Sequence, residues 1–237
     1  MSATTQFGFG KGDNALTSEN KPFKGEAGKK YRISFVWWDG VDNDTPDFSS
    51  GTPNFIGGKR LYIPGVGYVF DKGPEYQQFA GQGGSRTSVA SVIVIWPTHS
   101  NGKVDEDAFK RGDYQVKTWV FGVDKYRNIK DCHDNFSLDS NDIVITCTDS
   151  QYQKMTFVSA PNNLFRTMTE SKNKTMGKRA KTLMQTVSAL ASDLNNTIAK
   201  DLTVAQIKER LGQDNGNPTG NSDSTADIDN MLGDLLD

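Results

Sequence analysis

The amino-acid sequence predicts a mainly β protein with a helical C-terminal part, its strands forming a small antiparallel barrel. Three observations carry this. Runs of β-branched and aromatic residues recur between residues 31 and 159, separated by turns rich in Gly and Pro. One short helical pattern interrupts them late in the series. After Pro161 the apolar spacing changes from a strand's period to a helix's.

Residues 1–30 are rich in Gly, Lys and Asn, with Phe7, Phe9 and Phe23 isolated among polar residues, and read as a flexible N-terminal arm. Order begins at 31–38 (YRISFVWW), where Ile33, Phe35 and Trp37 alternate on one face of a strand. Residues 39–58 are loop-like, and 59–72 read as a hairpin (KRLYI, PGVG, YVFDK). A Gly-rich loop at 81–86 precedes the most apolar strand, 88–96 (SVASVIVIW), and 114–121 (YQVKTWVF) is another. Residues 124–136 form a short helix capped by Asp124, with Tyr126, Ile129 and His133 along one side. Strands 142–148 and 151–159 follow, joined by a two-residue turn at Asp149 and Ser150. A helix between the third and fourth main strands is what a five-stranded OB barrel uses to plug its open end, so the expected fold is an OB-type antiparallel β-barrel with added helices. Residues 114–121 are then an extra or extended strand. An SH3-like barrel or a small sandwich are the other arrangements compatible with this order.

In the helical segment, 161–211, Ala180, Leu183, Val187, Leu190, Leu194 and Ile198 make one apolar stripe over about five turns. Such a stripe packs on the barrel or serves a partner helix. A second short helix, 204–211, is marked by a Thr203/Gln206 capping box and stopped by Gly212. Residues 212–226 are a linker by composition, leaving 227–237 as a separate tail.

Composition narrows the function classes. Only 35% of the 237 residues are hydrophobic, 23 are Gly, and the mean hydropathy is −0.60, which suits a domain with unpacked ends. Every Lys and Arg lies before residue 212, where 27 basic residues face 23 acidic ones, a formal charge of +4 on the body; the other six acidic residues follow. A mildly basic body tied to an acidic tail suits polyanion binding. Two cysteines make no disulfide framework, and the absence of a signal peptide or long apolar run points to a cytoplasmic protein with no membrane partner.

No enzyme is predicted, and no cofactor or metal. His99 and His133 sit in no nucleophile or metal motif, and Cys132, His133 and Cys147 lack the paired spacing of a zinc site. The Gly-Phe-Gly-Lys-Gly run at 8–12 lacks the ending of a phosphate loop. The Asp-rich loop at 39–47 lacks the glycine and closing Glu of a calcium hand.

Basic residues interleaved with aromatics are the stronger signal. Lys59, Arg60 and Tyr62 share the hairpin with Tyr68, Phe70 and Lys72; Arg86 follows the next loop, and Lys117 and Trp119 share a strand face. Stacking on rings and charge on phosphates together suit single-stranded nucleic acid without sequence readout. These nine residues are the candidate DNA-binding set. Trp96, inside the most apolar strand, reads as core.

The tail adds a second signal. Residues 223–237 (DSTADIDNMLGDLLD) hold five aspartates and no basic residue, while Ile228, Met231, Leu232, Leu235 and Leu236 would share one helical face. Too short to fold alone, it reads as a partner-binding element built from Asp227, Asp229, Met231, Leu232, Asp234, Leu235, Leu236 and Asp237.

The whole layout, from YRISFVWW through FVSA to the acidic tip DIDNMLGDLLD, resembles phage-type single-stranded DNA-binding proteins. The resemblance implies a sequence-independent DNA-binding barrel acting in replication, recombination and repair. It also implies a tail that recruits proteins of those processes, in the cytoplasm of an infected bacterium. The tail here ends in Leu235-Leu236-Asp237 rather than in the Pro-Phe of the bacterial proteins, and the zinc ligands of one phage branch are not seen. Self-association on DNA through the N-terminal arm is a further expectation. An RNA-binding module, or a structural or assembly protein with an acidic docking tail, are the alternatives.

Overall fold

The computed structural model describes residues 21–36, 55–149 and 154–212. Met1–Leu202 forms one compact unit and Thr203–Asp237 a second. The first is built on a seven-stranded antiparallel sheet: β1 (Lys30–Phe35), β2 (Ile56–Ile63), β3 (Gly67–Phe70), β4 (Arg86–Trp96), β5 (Gln115–Gly122), β6 (Asn141–Cys147) and β7 (Met155–Pro161). Six strands lie in the order β3-β2-β4-β1-β6-β7, and β5 pairs with β4.

The eleven-residue β4 organises this sheet because it is long enough to hold three partners. β5 runs along one edge from Ser88 to Ile95, which leaves the other edge to be divided: β2 takes residues 86–90 and β1 takes 93–96. Alternation then sends the side chains of β4 to two cores. Ala90, Val92, Val94 and Trp96 enter one, with Phe165, Leu183, Val187, Leu194 and Ile198 from the C-terminal helices. Val89 and Ile93 enter the other, with Ile33, Phe35, Trp119, Phe121, Ile129, Ile143 and Ile145. The near-continuous apolar run of β4 thus reflects a strand covered on both faces.

The helices are α1 (Pro74–Gln77), α2 (Glu106–Arg111), α3 (Val123–Phe136), α4 (Leu164–Thr169), α5 (Lys174–Ser192), α6 (Leu194–Ile198) and, in the second unit, α7 (Val204–Arg210). The expected 204–211 helix is present as α7, with both capping-box bonds between Thr203 and Gln206 and Gly212 at φ 68°. The apolar stripe also packs as a stripe, but it bends: Asp193, with φ −101° and ψ 8°, separates α5 from α6. Three short helices have no apolar period to announce them. Two carry legible caps, Asp105 accepting from Ala108 N–H before α2 and Asn163 accepting from Arg166 N–H before α4.

Four expectations need correction. The sheet is not closed into a barrel; among the described residues β5 and β7 are not paired. The β6–β7 link is not a two-residue turn, because Cys147 pairs with Met155 and Thr148 N–H donates to Lys154 O. Asp124 does not cap α3, since Gly122 occupies the cap position and Asp124 lies within the first turn, 3.3 Å from Arg127. Part of the supposed arm is packed: Phe23 is buried against Tyr31 and Trp119, and its N–H donates to Thr118 O at 2.6 Å. Residues 1–20, the linker after Gly212 and the tail lie outside the described residues, as do 37–54 and 150–153.

A buried polar cluster ties α4 to the sheet. The fully buried Asp142 on β6 accepts from Arg32 Nε at 2.8 Å and from the Ser34 hydroxyl, and the backbone N–H of Leu164 lies 3.3 Å from it. Ser34 Oγ in turn accepts from Trp96 Nε1 at 2.7 Å and Phe165 N–H at 3.3 Å. Trp96 is thereby a core residue with its polar edge satisfied, as its place in the apolar strand led us to expect.

Candidate nucleic-acid interface

The β2–β3 hairpin positions the first part of the site. Ile63-Pro64-Gly65-Val66 is a tight turn, closed by Val66 N–H donating to Ile63 O at 3.0 Å; Pro64 presets its corner and Gly65 has φ 79°, a conformation that penalises any Cβ. The turn sets Tyr62 directly opposite Tyr68 and Arg60 opposite Phe70. Leu61, Ile63 and Val69 are buried on the opposite face of the hairpin. Tyr62 and Tyr68 are instead 47% and 48% exposed and meet edge to face at 5.4 Å. The half-buried Arg60 donates from Nη1 to Ile198 O at 2.9 Å, and its Cζ lies 4.0 Å from the centre of the Tyr68 ring. Desolvation lowers its pKa below the ordinary arginine value.

These side chains line an open cavity of about 420 Å³ with Gln82, Gly84, Arg86, Thr87, Ser88 and Gly122. Arg86 reaches it from the first residue of β4, with Nε 3.4 Å from Gly83 O; a Cβ on Gly83 would sit 2.8 Å from the guanidinium. The glycine-rich loop is therefore narrow where the arginine folds back over it. The cavity combines two guanidinium groups and two exposed rings. A charged backbone and a flat apolar ring both find complements there.

The nine candidates divide accordingly. Arg60, Tyr62, Tyr68 and Arg86 come together at the cavity. Lys59 alternates to the opposite face of β2, and Lys72 pairs with Asp201. Phe70 is half-buried under Gly58, whose Cβ position lies 2.8 Å from its ring, and packs against the core. Lys117 is half-buried and lines neither this cavity nor its neighbour. Trp119, expected to meet a base, is fully buried: it stacks on Phe35 at 6.3 Å and contacts Phe23 and Phe121. Alternation placed it correctly beside Lys117 but could not show which face α3 covers. The tail candidates, from Asp227 to Asp237, lie outside the described residues.

A second cavity of about 570 Å³ adjoins the first and shares Arg86 and Gly122 with it. Its other walls are Asp124, Lys125 and Asn128 of α3 with Lys154, Met155 and Phe157 at β7. None of these was singled out in the sequence, where they are scattered over more than thirty positions with no local pattern.

Among the described residues, no group of three or more His, Cys, Asp or Glu side chains could hold a metal ion, and no helix is long and apolar enough to cross a membrane. No family model, curated protein or solved structure matches the chain.

Proposed function

We propose that this protein binds single-stranded DNA without regard to sequence, in replication, recombination and repair, and recruits partner proteins through its acidic C-terminal tail. The observation that carries the reading is the pair of half-exposed tyrosines set beside Arg60 and Arg86 in one open cavity. Unstacked bases offer a π face to such rings whatever their identity, and the arginines supply phosphate contacts. A duplex, whose bases are already stacked, cannot use them in this way.

The strand order adds support. β5-β4-β1-β6-β7 is an antiparallel run with α3 between its third and fourth strands in sequence, which supports an OB-like reading of this open sheet. The β2–β3 hairpin is then an insertion between β1 and β4 that brings Tyr62 and Tyr68 to the site.

The deciding experiment titrates the full chain with poly-dT, poly-U and duplex DNA over a salt series. Tight, salt-sensitive binding to poly-dT, weakened by Tyr62→Ala with Tyr68→Ala, is expected. Failure of the unaltered protein to bind poly-dT overturns the proposal, and a preference for poly-U would make the protein an RNA-binding module.

A further inference from the structure

We infer that the strand does not end at the tyrosine cavity but crosses Gly122 into the second cavity, where Lys125 and Lys154 hold its phosphates beside Phe157. This rests on the single-strand reading above and assigns the path over which it operates.

The two cavities are one continuous surface, since Arg86 and Gly122 line both. Arg86 therefore stands at the junction, able to hold a phosphate of a strand that occupies either side. The second cavity repeats the composition of the first with different residues. Two lysines replace Arg60, the half-buried Phe157 at the edge of the second core replaces the two half-exposed tyrosines, and Asn128 supplies a neutral hydrogen-bonding group. Asp124, the carboxylate among its described lining residues, lies 3.3 Å from Arg127 Nη1. A compact single ligand would not need two such pockets end to end, whereas a polymer repeating phosphate and ring meets the same chemistry at each step.

Gly122 lines both cavities and is the N-cap of α3, a position that tolerates Gly better than an apolar side chain. Its φ of −83° and ψ of 172° are ordinary extended backbone, and an ideal Cβ there would have no atom within 4 Å. A side chain at this position meets no steric conflict, costs some helix capping and would project into the passage.

The test uses the full chain with an oligo-dT of about 20 nucleotides, long enough to exceed one cavity. Lys125→Ala with Lys154→Ala should weaken binding and flatten the plot of log affinity against log salt by about 1.4, the loss of two single-strand phosphate contacts. Gly122→Trp should weaken the same binding several-fold while keeping the circular-dichroism spectrum of the parent, with a melting temperature lowered only by the lost cap. Should Gly122→Trp not fold, Gly122→Leu serves in its place. Parental affinity and salt slope in the double-lysine variant would overturn the second cavity as a binding site; parental affinity in the folded Gly122 variant would overturn the continuous path. Both results leave the tyrosine cavity standing if Tyr62→Ala with Tyr68→Ala still weakens binding. If the parent protein itself does not bind, the underlying reading fails and this one with it.

Discussion

Trp119 is fully buried while Tyr62 is about half exposed, so truncating the two rings should register in different measurements. Trp119→Ala is expected to cost about 3 to 5 kcal/mol of folding stability, the usual penalty for emptying an aromatic core position. Tyr62→Ala should leave the melting temperature nearly unchanged and cost about 1 to 3 kcal/mol of DNA affinity. Thermal melts and oligo-dT titrations of both variants check this. Trp119 Nε1 has no hydrogen-bond partner among the described residues, so Trp119→Phe loses volume but no polar contact and should be much milder than Ala. The Asp142 carboxyl answers to pH instead. Burial pushes it up to about 7 from an ordinary 3.8, against the opposing pull of the Ser34 hydroxyl, Arg32 and the Leu164 N–H. An acid whose folded-state value is raised holds its proton more tightly in the folded chain. Its stabilising contribution is therefore full below about pH 3.8, declines as the pH rises and is lost above about pH 7. Melting temperatures of the parent relative to Asp142→Asn should accordingly fall from about pH 5 to about pH 8; a difference constant across that window would show that Asp142 does not titrate there.

At the scale of elements, strands were legible and what covers them was not. Runs of β-branched and aromatic residues bounded by turn signals located the strands from β1 to β7 to within about four residues. Exposure is not local. Trp119 and Tyr62 look alike in sequence, and only the placement of α3 and Phe23 on one sheet face separates them. The same limit hid Lys125 and Lys154, whose proximity depends on where α3 starts relative to β7. The β2–β3 turn links fold to site at this scale. Gly65→Ala forces a Cβ into φ 79° and should destabilise the hairpin by about 1 kcal/mol or more. Oligo-dT affinity should fall with it, because Tyr62 and Tyr68 are held opposite one another by that turn. Unchanged affinity in a destabilised Gly65→Ala protein would mean the tyrosines do not act as a pair.

For the molecule as a whole, charge and cooperativity matter most. The formal +4 of the body and the five aspartates of residues 223–237 predict that deleting the tail tightens DNA binding, most of all at low salt where screening is weak. A short covalent tether presents those charges at an effective concentration on the order of millimolar. Equal affinity at low salt with and without 223–237 would refute the competition. The two cores flanking β4 bear on how the chain comes apart. Because Ala90, Val92 and Val94 share a core with Phe165, Leu183, Val187, Leu194 and Ile198, a fragment ending near residue 160 would expose part of that apolar row to water. The division into a binding domain and a helical appendage, natural along the sequence, thus has no counterpart in autonomy. Amide hydrogens of β4 and of α5 should exchange through one common opening event of similar free energy rather than in two separate steps, and limited proteolysis after Pro161 should yield aggregates instead of a trimmed, DNA-competent core.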